Sequence, residues 1–259
     1  MSVETTTTGP VTRITLNNPD KRNAFDDTLI EAMIEAFERA GTDGHTRVMV
    51  LDAVGKHFSA GADLNWMRAM GALDAQQNRD DALRLAALMR AIDRAAKPVI
   101  ARVQGAAYGG ALGLICAADI AVAADDARFC LSEVRLGILP AVIAPYVVRA
   151  LGARQARRYF MTAEVIPAPR ALALGLVHEV VPEAQLDATV ETLVEALLAG
   201  APDAQLRARE LAHRADHSAV DDALIDYTAA LIAELRTGQE GQEGLGAFLE
   251  KRAPNWVTP

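Results

Sequence analysis

Two small-residue turns carry the chemistry available to this sequence. One is His57–Leu64, which follows the apolar run Val48–Leu51. The other is Gly105–Gly113, which follows the apolar run Pro98–Val103 and leads into the apolar stretch Leu112–Ala118. Each reads as a buried strand, a tight turn and the start of a helix. Small residues at such a junction let a ligand touch the backbone. A helix N-terminus there offers free N–H groups and the positive end of a dipole. Two such turns together could give one N–H each to a single carbonyl oxygen. Paired donors of that kind stabilise an enolate or a tetrahedral oxyanion, and losing one costs roughly 3–4 kcal/mol in other enzymes. The same pattern also suits tight packing of strand against helix.

Six separated segments widen the argument: Phe58–Asp63, Lys97–Ile100, Gly105–Gly110, Ala118–Ile120, Ser132–Gly137 and Phe248–Arg252. In order and spacing the chain resembles the crotonase superfamily, that of enoyl-CoA hydratases and isomerases. The resemblance implies an α/β fold, a spiral of ββα repeats followed by a C-terminal helical region that builds trimers, often paired into hexamers. It also implies coenzyme A thioester substrates. In the family pattern the oxyanion-hole N–H groups fall on Ala62 and Gly110. Contacts to the adenine and pantetheine of coenzyme A fall on Ala24, Ala60, Asp63 and Leu64. Phe248 and Lys251 match positions that close over coenzyme A from a neighbouring subunit. Four finer segments, Ala62–Met67, Arg128–Gly137, Tyr146–Arg149 and Glu240–Phe248, are similar to those of bacterial methylglutaconyl-CoA hydratases of leucine breakdown. Related enzymes acting on longer isoprenoid glutaconyl-CoA esters look similar.

Two-carboxylate hydratases of this family carry a glutamate three residues after the oxyanion glycine and another about twenty residues later. Here the first position is Gly113, which cannot exchange a proton, and the second is Glu133. One carboxyl can in principle take a proton from water as it attacks Cβ and deliver it at Cα. Such general acid–base help is worth about 10²–10⁴-fold. A lone glutamate equally suits migration of a double bond from β,γ to α,β, so a Δ3,Δ2-enoyl-CoA isomerase is the alternative. A third reading is a non-catalytic thioester-binding or scaffold protein, which Gly113 favours and Glu133 opposes. Without the resemblance, Glu133 reads as a solvated or capping carboxylate after Ser132.

The whole chain sets outer bounds. At 259 residues it can bury one substantial core with an appendage. A content of 51% hydrophobic and 23% charged residues is ordinary for a globular protein. The net charge of -8 argues against nucleic acid as the main partner. Cys116 and Cys130 lie in apolar runs and read as buried thiols, with no disulfide framework. No run reaches the ~18 apolar residues of a membrane span, and residues 1–10 carry no signal pattern. A cytoplasmic location is expected.

The elements that must position these groups follow from periodicity. Val11–Leu16 alternates as a strand. Asp26 or Asp27 caps a helix running to about Ala40, with Leu29, Ile30, Met33, Ile34 and Phe37 on one face. Ala82–Ala96 reads as an amphipathic helix ended by Lys97 and Pro98. Trp66–Arg79 reads either as a mobile lid or as a surface helix. Ile120–Ala124 is a strand, and Ile138–Tyr146 is an apolar segment expected to reshape the acyl pocket. Three helices are expected over Glu183–Leu198, Pro202–Arg214 and Val220–Leu235, with a boundary dividing 1–200 from 201–259. No internal repeat is visible.

Other constellations are weak. His213 and His217 could share a helix face, which is one metal geometry, but no third ligand is evident. Ser59 and Ser132 lack nucleophile patterns. The expected chemistry needs no metal or separate cofactor, since coenzyme A arrives with the substrate. A terminal carboxylate on the substrate would need cations, and Arg68, Arg79 and Arg84 are candidates because they flank the Trp66–Arg79 segment.

Overall fold

The computed structural model describes residues 2–216 and 218–257. The chain divides into two compact units, Met1–Thr192 and Leu193–Pro259, with the division falling inside one helix, Leu186–Ala199.

The first unit is built on a six-stranded sheet. Its strands are β1 (Val3–Thr8), β2 (Val11–Leu16), β3 (Val48–Ala53), β4 (Val99–Val103), β6 (Ile120–Ala124) and β9 (Glu179–Val181), in spatial order β1-β2-β3-β4-β6-β9. β1 and β2 form an antiparallel hairpin, and every other pairing is parallel. Parallel strands need crossovers, which here contain the helices. A second, three-stranded sheet holds β5 (Ala106–Tyr108), β7 (Arg128–Cys130) and β8 (Ile166–Pro167). Ser59 extends it as a single bridge to Ala107.

The winding is a repeat. β3 leads to the Ser59 bridge and then to α2 (Leu64–Met70) and α3 (Ala75–Asp93). β4 leads to β5 and then to α4 (Gly110–Ala117). β6 leads to β7 and then, through a 3-10 turn over Glu133–Leu136, to α5 (Ala144–Leu151). Each turn gives a strand to the large sheet, then a strand or, in the first turn, the Ser59 bridge to the small one, and then helix, the expected ββα spiral. The repeat lies in backbone path and not in residue identity, which is why the sequence does not display it.

The helix α1 (Asp27–Thr42) starts where expected, and Asp26 is its cap, accepting from Leu29 N–H at 2.8 Å. α3 begins at Ala75, not Ala82. The polar residues that suggested a lid form its first turn, with a capping box between Asp74 and Gln77. Asn78 Nδ2 reaches the carbonyls of Met70, Leu73 and Asp74 at 3.0, 3.1 and 3.0 Å, which knits the α2–α3 turn together.

After α6 (Ala153–Thr162) and α7 (Ala168–Leu174), the helix α8 (Leu186–Ala199) leads into the second unit. That unit adds α9 (Pro202–Asp216), α10 (Asp222–Thr237) and α11 (Gln239–Glu250). The last helix was not anticipated, because its glycines hide the periodicity. Glu240 accepts from the N–H groups of Asp203 and Ala204 and so places a carboxylate at the start of α9. Leu224 and Leu231 are buried, whereas Ile225 and Ile232 of the same expected stripe are exposed. His217 of the His213–His217 pair lies outside the described residues. Among the described residues no helix is long and apolar enough to cross a membrane, and no group of three His, Cys, Asp or Glu could hold a metal.

Candidate active site

Phe25 organises the first small-residue turn. Its N–H donates to Gly61 O at 2.7 Å, and its carbonyl accepts from Asp63 N–H at 2.7 Å. In this parallel bridge the residue between, Ala62, turns its own N–H away from Phe25. Gly61 has φ +89, and a β-carbon there would stand 2.9 Å from Tyr108 O. Only glycine lets the turn lie this close to Tyr108 and Gly109. Ser59 is structural: its hydroxyl donates to Asn23 O at 2.7 Å and accepts from Gly61 N–H at 3.2 Å. Asn23 is fully buried and donates to the carbonyls of Val54 and His57 at 3.0 and 2.9 Å.

The second turn delivers Gly110 as the first residue of α4. Gly109, with φ +55, is its N-cap and supplies no side-chain acceptor. The Gly110 N–H is therefore one of the donors a helix start leaves without an internal partner. A β-carbon on Gly110 would meet Phe25 Cε2 at 2.9 Å. The same phenylalanine thus fixes the first turn through its backbone and rests its ring on the second. A β-carbon on Gly61 would lie 3.8 Å from Gly109 Cα, so the two turns are in contact. The two expected donors sit on adjoining turns.

Glu133 opens the 3-10 turn after β7, which Gly137 closes with φ +74. Its Oε1 lies 3.4 Å from where a β-carbon on Gly109 would be. The carboxyl therefore stands beside the residue preceding the Gly110 donor. Its Oε2 is buried with no hydrogen-bond partner. Burial pushes the Glu133 carboxyl above the usual carboxylate range, opposed only by its own backbone N–H. One of its two oxygens is thus withdrawn from solvent, unlike those of a fully solvated carboxylate. Its turn is tied down by Arg135, whose Nη2 donates to Ala163 O at 2.7 Å.

Gly113 lies one helical turn beyond Gly110, fully enclosed. A β-carbon there would stand 2.3 Å from Ile143 Cγ2 and 2.7 Å from Met89 Sδ. Both neighbours are buried. Ile143 lies in the apolar segment expected from sequence to shape the pocket, whereas Phe25 and Met89 were not identified from sequence as part of the site. Each reads as an ordinary core residue until the backbone brings it to a glycine.

The positions expected to touch coenzyme A are placed as follows. Ala24 is buried, Ala60 is half-buried and Leu64 is exposed as the first residue of α2. The N–H groups of Ala24, Ala60 and Asp63 are taken by Lys21 O, Arg22 O and Phe25 O. Asp63 caps α2 by accepting from Asn65 and Trp66 N–H, and it pairs with Lys21 Nζ at 3.2 Å. The Trp66 and Asn65 backbone donors and the lysine hold its carboxyl below the usual range. Phe248 and Lys251 belong to the second unit. Phe248 is 81% exposed, and Lys251 ends α11 with φ +55. Of the three arginines, Arg68 donates to Asn65 Oδ1, Arg84 pairs with Glu31 and Arg79 is exposed.

Residues 6–259 match the family model for enoyl-CoA hydratase/isomerase. The chain belongs to the enoyl-CoA hydratase/isomerase family. Within that family it is similar to the crystal structure of an enoyl-CoA hydratase from Shewanella pealeana, with 46% identity and a TM-score of 0.96 over 99% of this chain and 96% of that one. It is 33% identical to the 2,3-dehydroadipyl-CoA hydratase of Escherichia coli over 94% of this chain and 93% of that protein. It is 29% identical to a trans-2-decenoyl-acyl-carrier-protein isomerase of Streptococcus mutans, over 95% of this chain and 94% of that protein. Hydratases and isomerases thus both stand among its relatives.

Proposed function

We propose that this protein adds water across the α,β double bond of an enoyl-CoA thioester of the glutaconyl class, with 3-methylglutaconyl-CoA or a related ester in leucine or isoprenoid breakdown as substrate. The observation that carries the reading is the Glu133 carboxyl beside Gly109, with Oε2 buried and unpartnered, next to two adjoining turns with N–H groups at Ala62 and Gly110. The thioester oxygen would accept from those two donors. As water attacks Cβ, negative charge builds on that oxygen, and fixed dipoles stabilise it without reorganising. Glu133 takes the proton that water loses and delivers one to Cα, so the carboxyl ends as it began. A carboxyl held above its usual range by burial is a stronger base than a solvated one, which suits this task. No metal or redox cofactor enters the scheme. Leaving an ionisable group buried without a partner costs free energy, and that counts against a purely structural or scaffold role.

A second reading is a Δ3,Δ2-enoyl-CoA isomerase. The hydrocarbon at Gly113 favours it, because double-bond migration needs one proton carrier and no bound water. Assay with methylglutaconyl-CoA, crotonyl-CoA and a β,γ-enoyl-CoA, following water addition and double-bond migration separately, decides between them. Hydration of the glutaconyl ester supports the first reading. Migration without hydration supports the second, and inertness toward all three esters supports the scaffold. The proposal includes a homotrimer or hexamer in the cytoplasm, with Phe248 and Lys251 reaching a neighbour's coenzyme A. The exposure of Phe248 and Leu249 supports that assembly.

A further inference from the structure

The space beside Gly113 is filled, and by two quite different neighbours. Met89 Sδ is near the end of an unbranched side chain and can swing aside. Ile143 cannot. Both its Cγ2 and its Cβ would press on a β-carbon at 113, at 2.3 and 2.8 Å. A β-branched side chain has little χ1 freedom. The Ile143 backbone is also fixed, because its carbonyl accepts the N–H groups of Tyr146 and Val147 at the start of α5. Side chains at 113 and 143 therefore exclude one another, and the identity of one dictates the other. Position 113 shares a helix face with the Gly110 donor, one turn on.

We propose that Ile143 keeps a second carboxylate out of this site and is thus a positioning residue for one-carboxyl chemistry. It occupies the volume a second carboxylate would need and leaves Glu133 as the sole proton carrier. This inference rests on the hydration reading above.

Two experiments test it. The first is a stability cycle over Gly113→Ala, Ile143→Ala and the double variant, read as Tm. Each single change is expected to lower Tm, one by overpacking and one by leaving a cavity. The double variant is expected to melt above Gly113→Ala, because the new methyl enters the space that isoleucine left. Additive losses would overturn the inference. The second compares Gly113→Glu with Gly113→Glu/Ile143→Ala on crotonyl-CoA. At least a tenfold gain in hydration by the double variant over the single is expected, with a second ionisation entering its pH profile. A folded double variant without that gain would overturn the inference. The stability cycle reads no turnover, so its failure leaves the hydration reading intact. A parent enzyme inert toward every enoyl-CoA ester defeats the hydration reading and the positioning role of Ile143 together, whatever the cycle shows.

Discussion

At the scale of single residues, Glu133 is where burial becomes chemistry. Its Oε2 is sealed from solvent with no donor, and desolvation raises its pKa. Replacing it by glutamine keeps the shape and removes the proton carrier. Turnover of Glu133→Gln is expected to fall by about 10²–10⁴-fold, the usual worth of general acid–base help. Coenzyme A ester binding should persist, as read by calorimetry. Retained near-native turnover would remove Glu133 from the mechanism. The pH dependence has a definite sign. The base must be ionised, and its pKa is raised, so the parent's rate should decline with falling pH while solvated carboxylates are still ionised. In Glu133→Gln that acid limb should be gone.

Other residues act through the elements they hold. His57 Nδ1 accepts from Ala106 N–H at 3.1 Å, which requires a neutral ring at that nitrogen. Burial, then the charges of Lys56 and Arg22, depress its pKa, with Asp126 opposing. A depressed histidine contributes stability that is fully present above the unfolded value of about 6.5 and is lost as pH falls through the folded value. Urea unfolding of the parent should therefore weaken from pH 7 to pH 5, and His57→Gln should weaken less over that range. An identical pH slope in both proteins would clear His57 of this role. The α2–α3 turn offers a second test. Asn78→Ala removes the side chain that meets three carbonyls there, and a loss of about 1 kcal/mol is expected. Faster amide exchange should be confined to residues 64–78. Exchange that stays slow would show that the capping box alone holds the turn.

At the scale of the whole molecule, assembly and substrate binding should be linked. α11 ends in exposed Phe248 and Leu249, more apolar surface than a solvated helix end usually presents. Light scattering at micromolar concentration is expected to give a trimer or hexamer. Cutting the chain before Gly238 removes α11 and should weaken coenzyme A ester binding, and Phe248→Ala should do so more mildly. A fully active monomer would defeat the proposed assembly.

The sequence by itself determined the two small-residue turns, the glycine at 113 and the carboxyl at 133, while the spiral was implied only by the resemblance to the crotonase superfamily. Those features are local: glycines where φ is positive or a β-carbon has no room, and apolar runs that can only be buried strands. Tertiary structure alone decided why Gly113 is glycine, because the atoms that exclude a side chain there come from Met89 and Ile143, 24 and 30 residues away. It alone decided that Phe25 joins both turns, that Ser59 serves the backbone and that the polar stretch after Gly71 starts a helix. Packing also settled the environment of Glu133. A glutamate after a serine looks solvated in a sequence, and only the elements folded around it remove the water that would have kept its pKa ordinary.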